Sequence, residues 1–411
     1  MDTIVIGAGL AGLAAVERLA DAGATVTLLE ARDRVGGRVW TERGAGLPVD
    51  LGAEWIGGGG AVHDLLRRSG ARLIPAGGAP VRRRLLRRAA AFSDPDRSLT
   101  AALDQCCLAP GDAGARDQLV RYVEGFHAAD PARVSIRWLA EVERTQPAEA
   151  SDLRSPDGAG QVVESLAAAI ADRCDLRLGR VVRSVVWQPG RVEVRTAADE
   201  MFRAAAAITT IPLPLFDPDD DRPAAVRFSP RLEAKHAAAR SLHMGPVVKV
   251  VLRFRTAFWR ERETPREALF LHAYDQAIPT WWTPADPHAP MLTGWAGGPF
   301  ADRLATAGDQ ELTDLATASL ARALALPRPE VVAQLESRHY HDWNRDPFSL
   351  GAYTYVGVGG MESHRTLARP VAGTLYFAGE ATCGQGYNAT MEGALRSGRR
   401  AADELLAKRA R

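Results

Sequence analysis

The first thirty residues switch between short apolar runs and a longer amphipathic stretch. An apolar run at 3–6 is followed by a glycine turn, by a segment of helical periodicity up to about Ala22, and by a second apolar run at 25–29. Gly23 stands where helices commonly end in a left-handed residue. This order predicts a β-strand, an α-helix and a second strand that lies parallel to the first.

The rest of the chain alternates between the same two periodicities. Residues 76–155 have an irregular helical pattern. Further elements are predicted at 161–171 (helix), 176–187, 191–196, 205–211 and 247–254 (strands), 268–300 (short strands), 309–325 (helix), 375–378 (strand) and 391–411 (helix). Because a β-α-β unit opens the chain and a strand, a glycine and a helix close it, we predict one domain made from both chain ends and a second domain inserted between them.

Composition and charge exclude several classes of protein. Hydrophobic residues make up 46% of the chain and charged residues 25%, which is typical of globular proteins. The 51 basic and 50 acidic residues give a net charge of +1, which leaves no field to attract nucleic acid or an anionic membrane. The four cysteines are too few for a disulfide framework, and we find neither an export signal nor an apolar run of about 18 residues. We therefore expect a cytoplasmic protein with no nucleic-acid or membrane partner.

A glycine motif lies between the first strand and the first helix. The segment Gly7-Ala8-Gly9-Leu10-Ala11-Gly12 matches GxGxxG, and Glu30 ends the second strand eighteen residues later. Gly7 permits a tight turn, Gly9 lets the backbone approach a pyrophosphate, and Gly12 lets the helix pack closely on the strand. The pyrophosphate would lie at the helix N-terminus, and Glu30 would accept hydrogen bonds from a ribose diol. In this context the motif predicts a Rossmann-like domain that binds a dinucleotide.

Lysine is almost absent from the chain. Only Lys235, Lys249 and Lys408 are lysines, so the other 48 of the 51 basic residues are arginines. Lys249 lies in the apolar run 247–254, where both faces of a strand would be buried. An unpaired ammonium there would cost several kcal/mol and would have a lowered pKa. Lys235 and Lys408 stand among charged neighbours, and we predict that both are ordinary surface residues.

Residues 30–38, Glu30-Ala31-Arg32-Asp33-Arg34-Val35-Gly36-Gly37-Arg38, resemble the extended fingerprint of the flavin-dependent amine oxidase family, which includes monoamine oxidases, polyamine oxidases and several amino-acid oxidases. Further segments are similar to the family at 49–55, 178–182, 244–250, 343–353, 377–380 and 390–393. The resemblance covers nearly the whole chain and is weakest over 76–155. It implies that the dinucleotide is FAD rather than NAD.

The resemblance also implies an α/β (α+β, two-domain) fold and a set of residues that hold the cofactor. The backbone of Val182 would meet the adenine. Ala352 stands where the monoamine oxidases carry the cysteine that attaches FAD, so we expect FAD to be bound non-covalently. The FAD-binding domain is predicted at 1–75, 156–215 and 345–411, and the substrate-binding domain, a mixed sheet with helices, at 76–155 and 216–344. The expected cofactor-binding residues are Gly7, Gly9, Ala11, Gly12, Glu30, Ala31, Arg32, Gly37, Arg38, Gly52, Ala53, Glu54, Trp55, Val182, Gly379, Glu380, Thr390 and Met391.

Lys249, Trp343 and Tyr353 are the catalytic residues that the resemblance implies. The lysine would hydrogen-bond a water at flavin N5, and the two aromatic rings would flank the substrate amine. Thr390 stands where the monoamine oxidases have a second tyrosine, so this aromatic cage is at best half complete. Polyamine oxidases commonly carry an acidic residue at the position of Gly57, which argues against a polycationic substrate. The residues expected in the substrate pocket are Thr390, Trp281, Trp282 and Trp295.

The sequence therefore predicts an FAD-dependent oxidase. Hydride would pass from the carbon next to the nitrogen of an amine or amino acid to flavin N5, giving an imine, and O2 would reoxidise the flavin and yield H2O2. The expected partners are the small-molecule amine and O2, a homodimer is compatible with the chain, and no spacing of metal ligands is found. Two alternatives stay open: an FAD-dependent desaturase of a C–C or ring C–N bond, and a non-redox flavoprotein of the same fold. Cys383 closely follows 377–380 and would be near the flavin, but we favour the interpretation that it is a small buried thiol.

Overall fold

The structure of the chain, a computed structural model, describes residues 2–44, 46–76, 83–91, 94–106, 113–145, 152–216, 222–261 and 270–409. The helices in these ranges are α1 (Leu10–Asp21), α2 (Ala61–Arg68), α3 (Arg83–Ala90), α4 (Leu99–Gln105), α5 (Ala113–Phe126), α6 (Ile136–Thr145), α7 (Gln161–Ile170), α8 (Glu233–Ala239), α9 (Pro299–Asp302), α10 (Asp309–Ala323), α11 (Arg328–Gln334), α12 (Ser363–Ala368) and α13 (Met391–Arg409). The strands are β1 (Thr3–Ile6), β2 (Val26–Leu29), β3 (Thr41–Glu42), β4 (Val49–Asp50), β5 (Ile56–Gly57), β6 (Ile74–Ala76), β7 (Asp152–Arg154), β8 (Asp175–Arg177), β9 (Val182–Gln188), β10 (Arg191–Thr196), β11 (Met201–Ala204), β12 (Ala206–Thr209), β13 (Arg227–Ser229), β14 (Leu242–Gly245), β15 (Val247–Phe254), β16 (Phe270–His272), β17 (Thr280–Trp282), β18 (Met291–Gly297), β19 (Leu335–Tyr340), β20 (Tyr353–Val356) and β21 (Leu375–Phe377).

A parallel sheet that contains the first two strands of the chain has the strand order β21-β12-β1-β2-β8. β1 pairs with β2 on one side and with β12 on the other, and β21, from near the C-terminus, continues the sheet beside β12. Val5, Leu28 and Ile208 point to one face of this sheet, where they pack in a core with side chains of α1, α7 and α13. The predicted Rossmann-like sheet, made from both chain ends, is confirmed.

The prediction of one continuous strand over 176–187 is wrong, because the alternation of apolar and polar residues there continues through a turn. The structure divides this range into β8 of the parallel sheet and β9 of a sheet ordered β11-β10-β9-β13. Gly179, with φ +67°, lies in the turn between them. The backbone N–H of Arg180 donates to Glu30 O at 2.7 Å, so the start of β9 at Val182 lies near the end of β2.

An antiparallel sheet carries the predicted apolar strand 247–254, which is β15. Its strand order is β16-β17-β18-β15-β19. Val248, Val250 and Leu252 point to one face of β15 and pack in a core with side chains of α10, whereas Lys249 points to the other face. The short strands predicted over 268–300 are β16, β17 and β18. Residues 268 and 269, and 410 and 411 at the end of the predicted last helix, lie outside the described residues.

The irregular helical pattern predicted over 76–155 corresponds to α3, α4, α5 and α6. These helices share a core that includes Leu103, Leu119 and Trp138. β7 pairs with β5 and β6, and β14 pairs with β20, so strands pair across the predicted domain boundaries, and the boundaries themselves stay a prediction. No helix in the described part of the chain is long and apolar enough to cross a membrane.

Candidate active site

The turn between β1 and α1 leaves room beside its backbone. Gly7 has φ +99°, a conformation that favours glycine. Gly9 is the N-cap residue of α1, which has no side-chain cap, and a Cβ atom on Gly9 would meet nothing within 4 Å. Since the first N–H groups of a helix have no partner within the helix, this end of α1 can receive an anion. Ala11, in the first turn, is buried.

The segment 30–38 lies against this glycine turn. Glu30 Oε2 accepts a hydrogen bond from Ala8 N at 2.7 Å, and Glu30 Oε1 accepts one from Arg32 N at 2.9 Å. Gly37 approaches so closely that its Cβ atom, if it had one, would lie 3.3 Å from Gly9 Cα. The structure thus brings together Gly9, Glu30 and Gly37, as the sequence predicts.

Arg32 connects this segment to residues that the sequence analysis missed. Arg32 Nη2 donates to Asp346 Oδ1 at 2.6 Å and to Ser349 Oγ at 2.9 Å, and His341 Nε2 lies 2.7 Å from Asp346 Oδ2. Burial opposes the ionisation of Asp346, but the hydrogen bonds from His341 and Arg32 lower its pKa to about 2. The only signal for these residues in the sequence is their closeness to Trp343.

Arg38 and Glu380 join the segment 30–38 to the C-terminal part of the chain. Arg38 Nη1 donates to Ala352 O at 2.7 Å and to Glu380 Oε1 at 3.1 Å. Glu380 Oε2 accepts from Thr354 Oγ1 at 2.6 Å and from Ala389 N at 3.0 Å. Arg38 and Glu380 line one cleft, whose walls also include Thr209, Phe377 and Gly379.

Gly52 and Ala53 are in close contact with the backbone of Arg38. Ala53 N donates to Arg38 O at 3.1 Å, and a Cβ atom on Gly52 would lie only 2.0 Å from the same oxygen. Glycine is therefore required at position 52. Trp55, farther along the segment, stacks on Phe270 with 5.7 Å between the ring centres.

Lys249 is buried, as predicted, but it is paired. Lys249 Nζ lies 2.9 Å from Glu54 Oε2 and donates to Gly52 O at 3.1 Å. Arg154 Nη1 lies 3.3 Å from Glu54 Oε1, and Trp282 Nε1 donates to the same carboxylate at 3.1 Å. Burial alone would raise the pKa of Glu54, but the charges of Lys249 and Arg154 outweigh it and lower the pKa. The expected cost of an unpaired ammonium does not arise.

Trp343 and Tyr353, the predicted aromatic pair, are each held by a backbone carbonyl. Trp343 Nε1 donates to Leu51 O at 2.8 Å, and its side chain is buried. Tyr353 Oη donates to Phe126 O at 2.7 Å, and burial raises the pKa of its hydroxyl. Among the described residues, Trp343 makes ring contacts with Trp40 and His341, but none is found between Trp343 and Tyr353.

The prediction that Trp281 lines the substrate pocket is wrong. Its side chain is fully buried in the core beneath the antiparallel sheet, and Nε1 donates to Ile278 O at 3.1 Å. Neighbouring residues of a strand point to opposite faces, so only one of two successive tryptophans can face Lys249. Trp282 is that residue, and its ring centre lies 5.8 Å from that of Trp295. Trp295 Nε1 donates to Gly125 O at 2.7 Å.

Thr390 and Glu392 use their polar atoms to cap helices. Thr390 Oγ1 donates to Tyr387 O at 2.6 Å and accepts from Gly393 N at 2.9 Å, so the hydroxyl expected in the pocket caps the start of α13. The carboxylate of Glu392, which the sequence analysis did not select, accepts from two backbone N–H groups in the first turn of α2. Met391, between them, is buried.

The prediction that Lys235 is an ordinary surface residue is wrong. Its side chain is buried, and Nζ donates to the carbonyl oxygens of Thr366, Leu367 and Arg369 at the end of α12. Nζ also lies 4.1 Å from the centre of the Phe377 ring. The charged neighbours in the sequence gave no sign of these partners, which lie more than 130 residues away. Lys408 is exposed, as predicted.

A family model described as flavin containing amine oxidoreductase matches residues 10–80 and 74–406 of the chain. The match covers almost the whole chain from the start of α1, including Lys249 and the cleft lined by Arg38 and Glu380. The chain belongs to this family of flavin-containing amine oxidoreductases. The protein is similar to polyamine oxidase 3 of Oryza sativa subsp. japonica, with 29% identity over 458 residues, 98% of this chain and 88% of the relative.

Two solved structures show the same fold as this amine oxidoreductase. Putrescine oxidase bound to putrescine is similar with a TM-score of 0.82 and 23% identity over 99% of both chains. Cyclohexylamine oxidase from Brevibacterium oxydans IH-35A is similar with a TM-score of 0.82 and 24% identity over 100% of this chain and 99% of that one. The predicted two-part α/β fold with a Rossmann-type domain is thereby confirmed.

FAD is the cofactor of this amine oxidoreductase, and the residues present fit it. The uncapped start of α1, with open space beside Gly9, suits a pyrophosphate. In the cleft between Arg38 and Gly379, Thr209 Oγ1 is buried with no hydrogen-bond partner among the described residues, as a group that awaits a polar ligand would be.

Proposed function

We propose that this amine oxidoreductase takes a hydride from the carbon next to the nitrogen of a small amine or amino acid and uses O2 as the final acceptor, releasing H2O2. The observation that carries the proposal is the place of Lys249. Its ammonium group contacts Gly52 O, in the segment that packs on the backbone of Arg38, and Arg38 lines the cleft of Gly379 and Glu380.

We further propose how the chain holds FAD. The pyrophosphate would bind at the start of α1 beside Gly9, and Glu30 would receive the ribose diol. The cleft lined by Arg38, Gly379 and Glu380 would receive the part of the cofactor nearer the flavin. When bound, FAD supplies the redox chemistry, because it accepts the hydride and is reoxidised by O2.

The side chains around Lys249 would hold one water, orient the substrate amine and exclude bulk water from it. Lys249 Nζ, fixed by two acceptors, would hold a water beside the flavin. Trp343 and Tyr353 have fixed ring orientations because each donates a hydrogen bond to a backbone carbonyl oxygen. Their rings would form dry walls around the amine. Trp282 and Trp295 would extend these walls from the antiparallel sheet.

The proposed substrate carries one amine and no second positive charge. Gly57 brings no carboxylate to this part of the site. The carboxylate of Glu54 is already shared by Lys249, Arg154 and Trp282, so it has no free charge for a second ammonium. We therefore expect turnover of monoamines or amino acids in preference to polyamines.

We propose that FAD is bound without a covalent bond. Ala352 offers no nucleophile, and burial raises the pKa of the Cys383 thiol to about 11, which keeps it protonated. Acid precipitation tests this proposal. If the proposal is right, the precipitated protein is colourless and FAD is found in the supernatant. Yellow colour that stays in the washed precipitate would contradict it.

A cytoplasmic location is also proposed. The described cysteines Cys106, Cys174 and Cys383 are free thiols, as a reducing compartment maintains them. Cell fractionation checks the location, and size-exclusion chromatography with light scattering checks whether two copies of the chain associate.

The test of the proposed activity is a peroxide-coupled screen of monoamines, polyamines and amino acids with the purified yellow holoenzyme. We expect a monoamine or amino acid to bleach the flavin absorbance without oxygen and to yield H2O2 with an imine-derived product in air. Bleaching with a desaturated product would instead favour a desaturase. A ligand that binds and leaves the absorbance unchanged would favour the non-redox alternative.

A further inference from the structure

Glu54 is the centre of a buried polar cluster to which four segments contribute. Its Oε2 atom lies 2.9 Å from Lys249 Nζ on β15, and its Oε1 atom lies 3.3 Å from Arg154 Nη1 on β7. Trp282 Nε1 on β17 donates to both oxygens, at 3.1 and 3.2 Å. The side chains of Glu54, Lys249 and Arg154 are only 9%, 3% and 5% exposed. One carboxylate is therefore shared by two cations and an indole N–H, away from bulk water.

The cluster fixes the direction of the Lys249 ammonium group. A lysine side chain has many rotamers, and its ammonium carries three N–H groups. Two of them are directed at Glu54 Oε2 and Gly52 O. Among the described residues no other acceptor of Lys249 Nζ is found. These two hydrogen bonds therefore leave the third N–H group of Lys249 for a partner outside the protein.

Glu54 is held by partners other than Lys249. Arg154, which contacts one oxygen, also donates to Thr283 O, and its guanidinium lies 4.9 Å from the centre of the Trp55 ring. Trp282 contacts both oxygens. Because Arg154 and Trp282 anchor the carboxylate, Glu54 provides a fixed point for Lys249 instead of moving with it.

We propose that Glu54 is a positioning residue, which holds Lys249 Nζ in place, and that Arg154 and Trp282 hold Glu54. The inference rests on the proposed place of Lys249 beside the flavin. A carboxylate that bound the substrate ammonium directly would need an open oxygen, and both oxygens of Glu54 have partners. Glu54 therefore acts through Lys249.

The test combines Glu54→Gln and Lys249→Met singly and together in the holoenzyme. Photoreduction supplies reduced flavin without any amine, and two quantities are measured: the rate of reoxidation by O2 and the midpoint potential of the flavin. Glu164→Gln is the matched control, because Glu164 pairs with Arg43 in an exposed ion pair. Since no amine is added, failure of this inference is distinguishable from failure to find a substrate.

We expect Glu54→Gln to slow reoxidation by about 10-fold or more when Lys249 is present, and to change nothing further in the Lys249→Met background. Loss of the anion should raise the midpoint potential, loss of the cation should lower it, and the double variant should lie between the two. A purely structural role would not produce this order of potentials. Glu164→Gln should match the wild type in both quantities.

Two results would overturn the inference. The first is an equal slowing by Glu54→Gln in both backgrounds, and the second is a midpoint potential that Glu54→Gln leaves unchanged. Should Glu54→Gln fail to fold, Trp282→Phe removes one donor to Glu54 and keeps every charge. It should slow reoxidation only when Lys249 is present, and an equal effect in the Lys249→Met background would contradict the inference.

Discussion

Gly12 packs so closely on Gly7 that a Cβ atom on Gly12 would lie 1.8 Å from the Gly7 carbonyl oxygen. Contacts this short do not occur between a Cβ and an oxygen, so the backbone of β1 or α1 would have to move. Gly9, only three residues earlier, has nothing within 4 Å of the equivalent position. Two glycines of one motif therefore serve different purposes: Gly12 allows the helix to pack, and Gly9 leaves space for a ligand.

Alanine substitution should separate these two purposes. Gly12→Ala should lower the free energy of unfolding of the apoprotein by about 1–3 kcal/mol, because of overpacking. Gly9 has φ −71°, which alanine tolerates, so Gly9→Ala should leave the apoprotein's stability nearly unchanged but weaken FAD binding by about 10-fold or more. Urea unfolding of the apoprotein and fluorescence titration with FAD measure both. Equal FAD affinity of Gly9→Ala and wild type would contradict the ligand role of this position.

The two tryptophans of β17 should respond differently to substitution. Trp281→Phe removes buried volume and the hydrogen bond to Ile278 O, so the unfolding free energy should fall by about 1–3 kcal/mol while KM for the amine stays unchanged. Trp295→Phe, on the other face of the sheet, should change KM. Denaturation and steady-state kinetics check the pair, and an altered KM for Trp281→Phe alone would restore Trp281 to the substrate pocket.

Periodicity and motif predicted the elements that a local pattern of apolar residues or glycines determines. The unit β1-α1-β2 and the buried strand of Lys249 are of this kind, because each depends on a local apolar pattern. The ion pair of Lys249 with Glu54 could not be predicted, since it joins positions 195 residues apart. Trp281 failed as a pocket residue because adjacent tryptophans give no indication of which one faces the core.

Asp50 should make stability depend on pH in an unusual direction. Burial raises its pKa to about 6, although the charge of Lys249 opposes the rise. The folded chain then binds more protons than the unfolded chain between about pH 4 and pH 6, so this group lowers the unfolding free energy as the pH rises through that window.

Asp50→Asn removes this dependence and keeps an acceptor for Thr41 Oγ1. Relative to the wild type, the variant should gain up to about 3 kcal/mol of unfolding free energy between pH 4 and pH 7. Denaturant unfolding at a series of pH values measures the difference. Asp403→Asn, at an exposed ion pair, is the control and should keep the wild-type pH dependence. A constant difference between Asp50→Asn and wild type would show that Asp50 titrates normally.

Lys235 should contribute to stability far more than Lys408 does. Lys235→Met leaves three carbonyl oxygens at the end of α12 without their donor, so we expect the free energy of unfolding to fall by about 3 kcal/mol. Lys408→Met, at an exposed position, should change it by less than about 0.5 kcal/mol.

Burial and the nearby Arg400 lower the pKa of Lys235 to about 7, so its folded form binds fewer protons than the unfolded form between about pH 7 and pH 10. The wild type should therefore gain stability as the pH rises through that window, and Lys235→Met should lack this gain. Denaturant unfolding of the wild type and both variants at pH 7 and pH 9 is the measurement, and equal unfolding midpoints for the two variants would mean that the carbonyl oxygens find other donors when Lys235 is replaced.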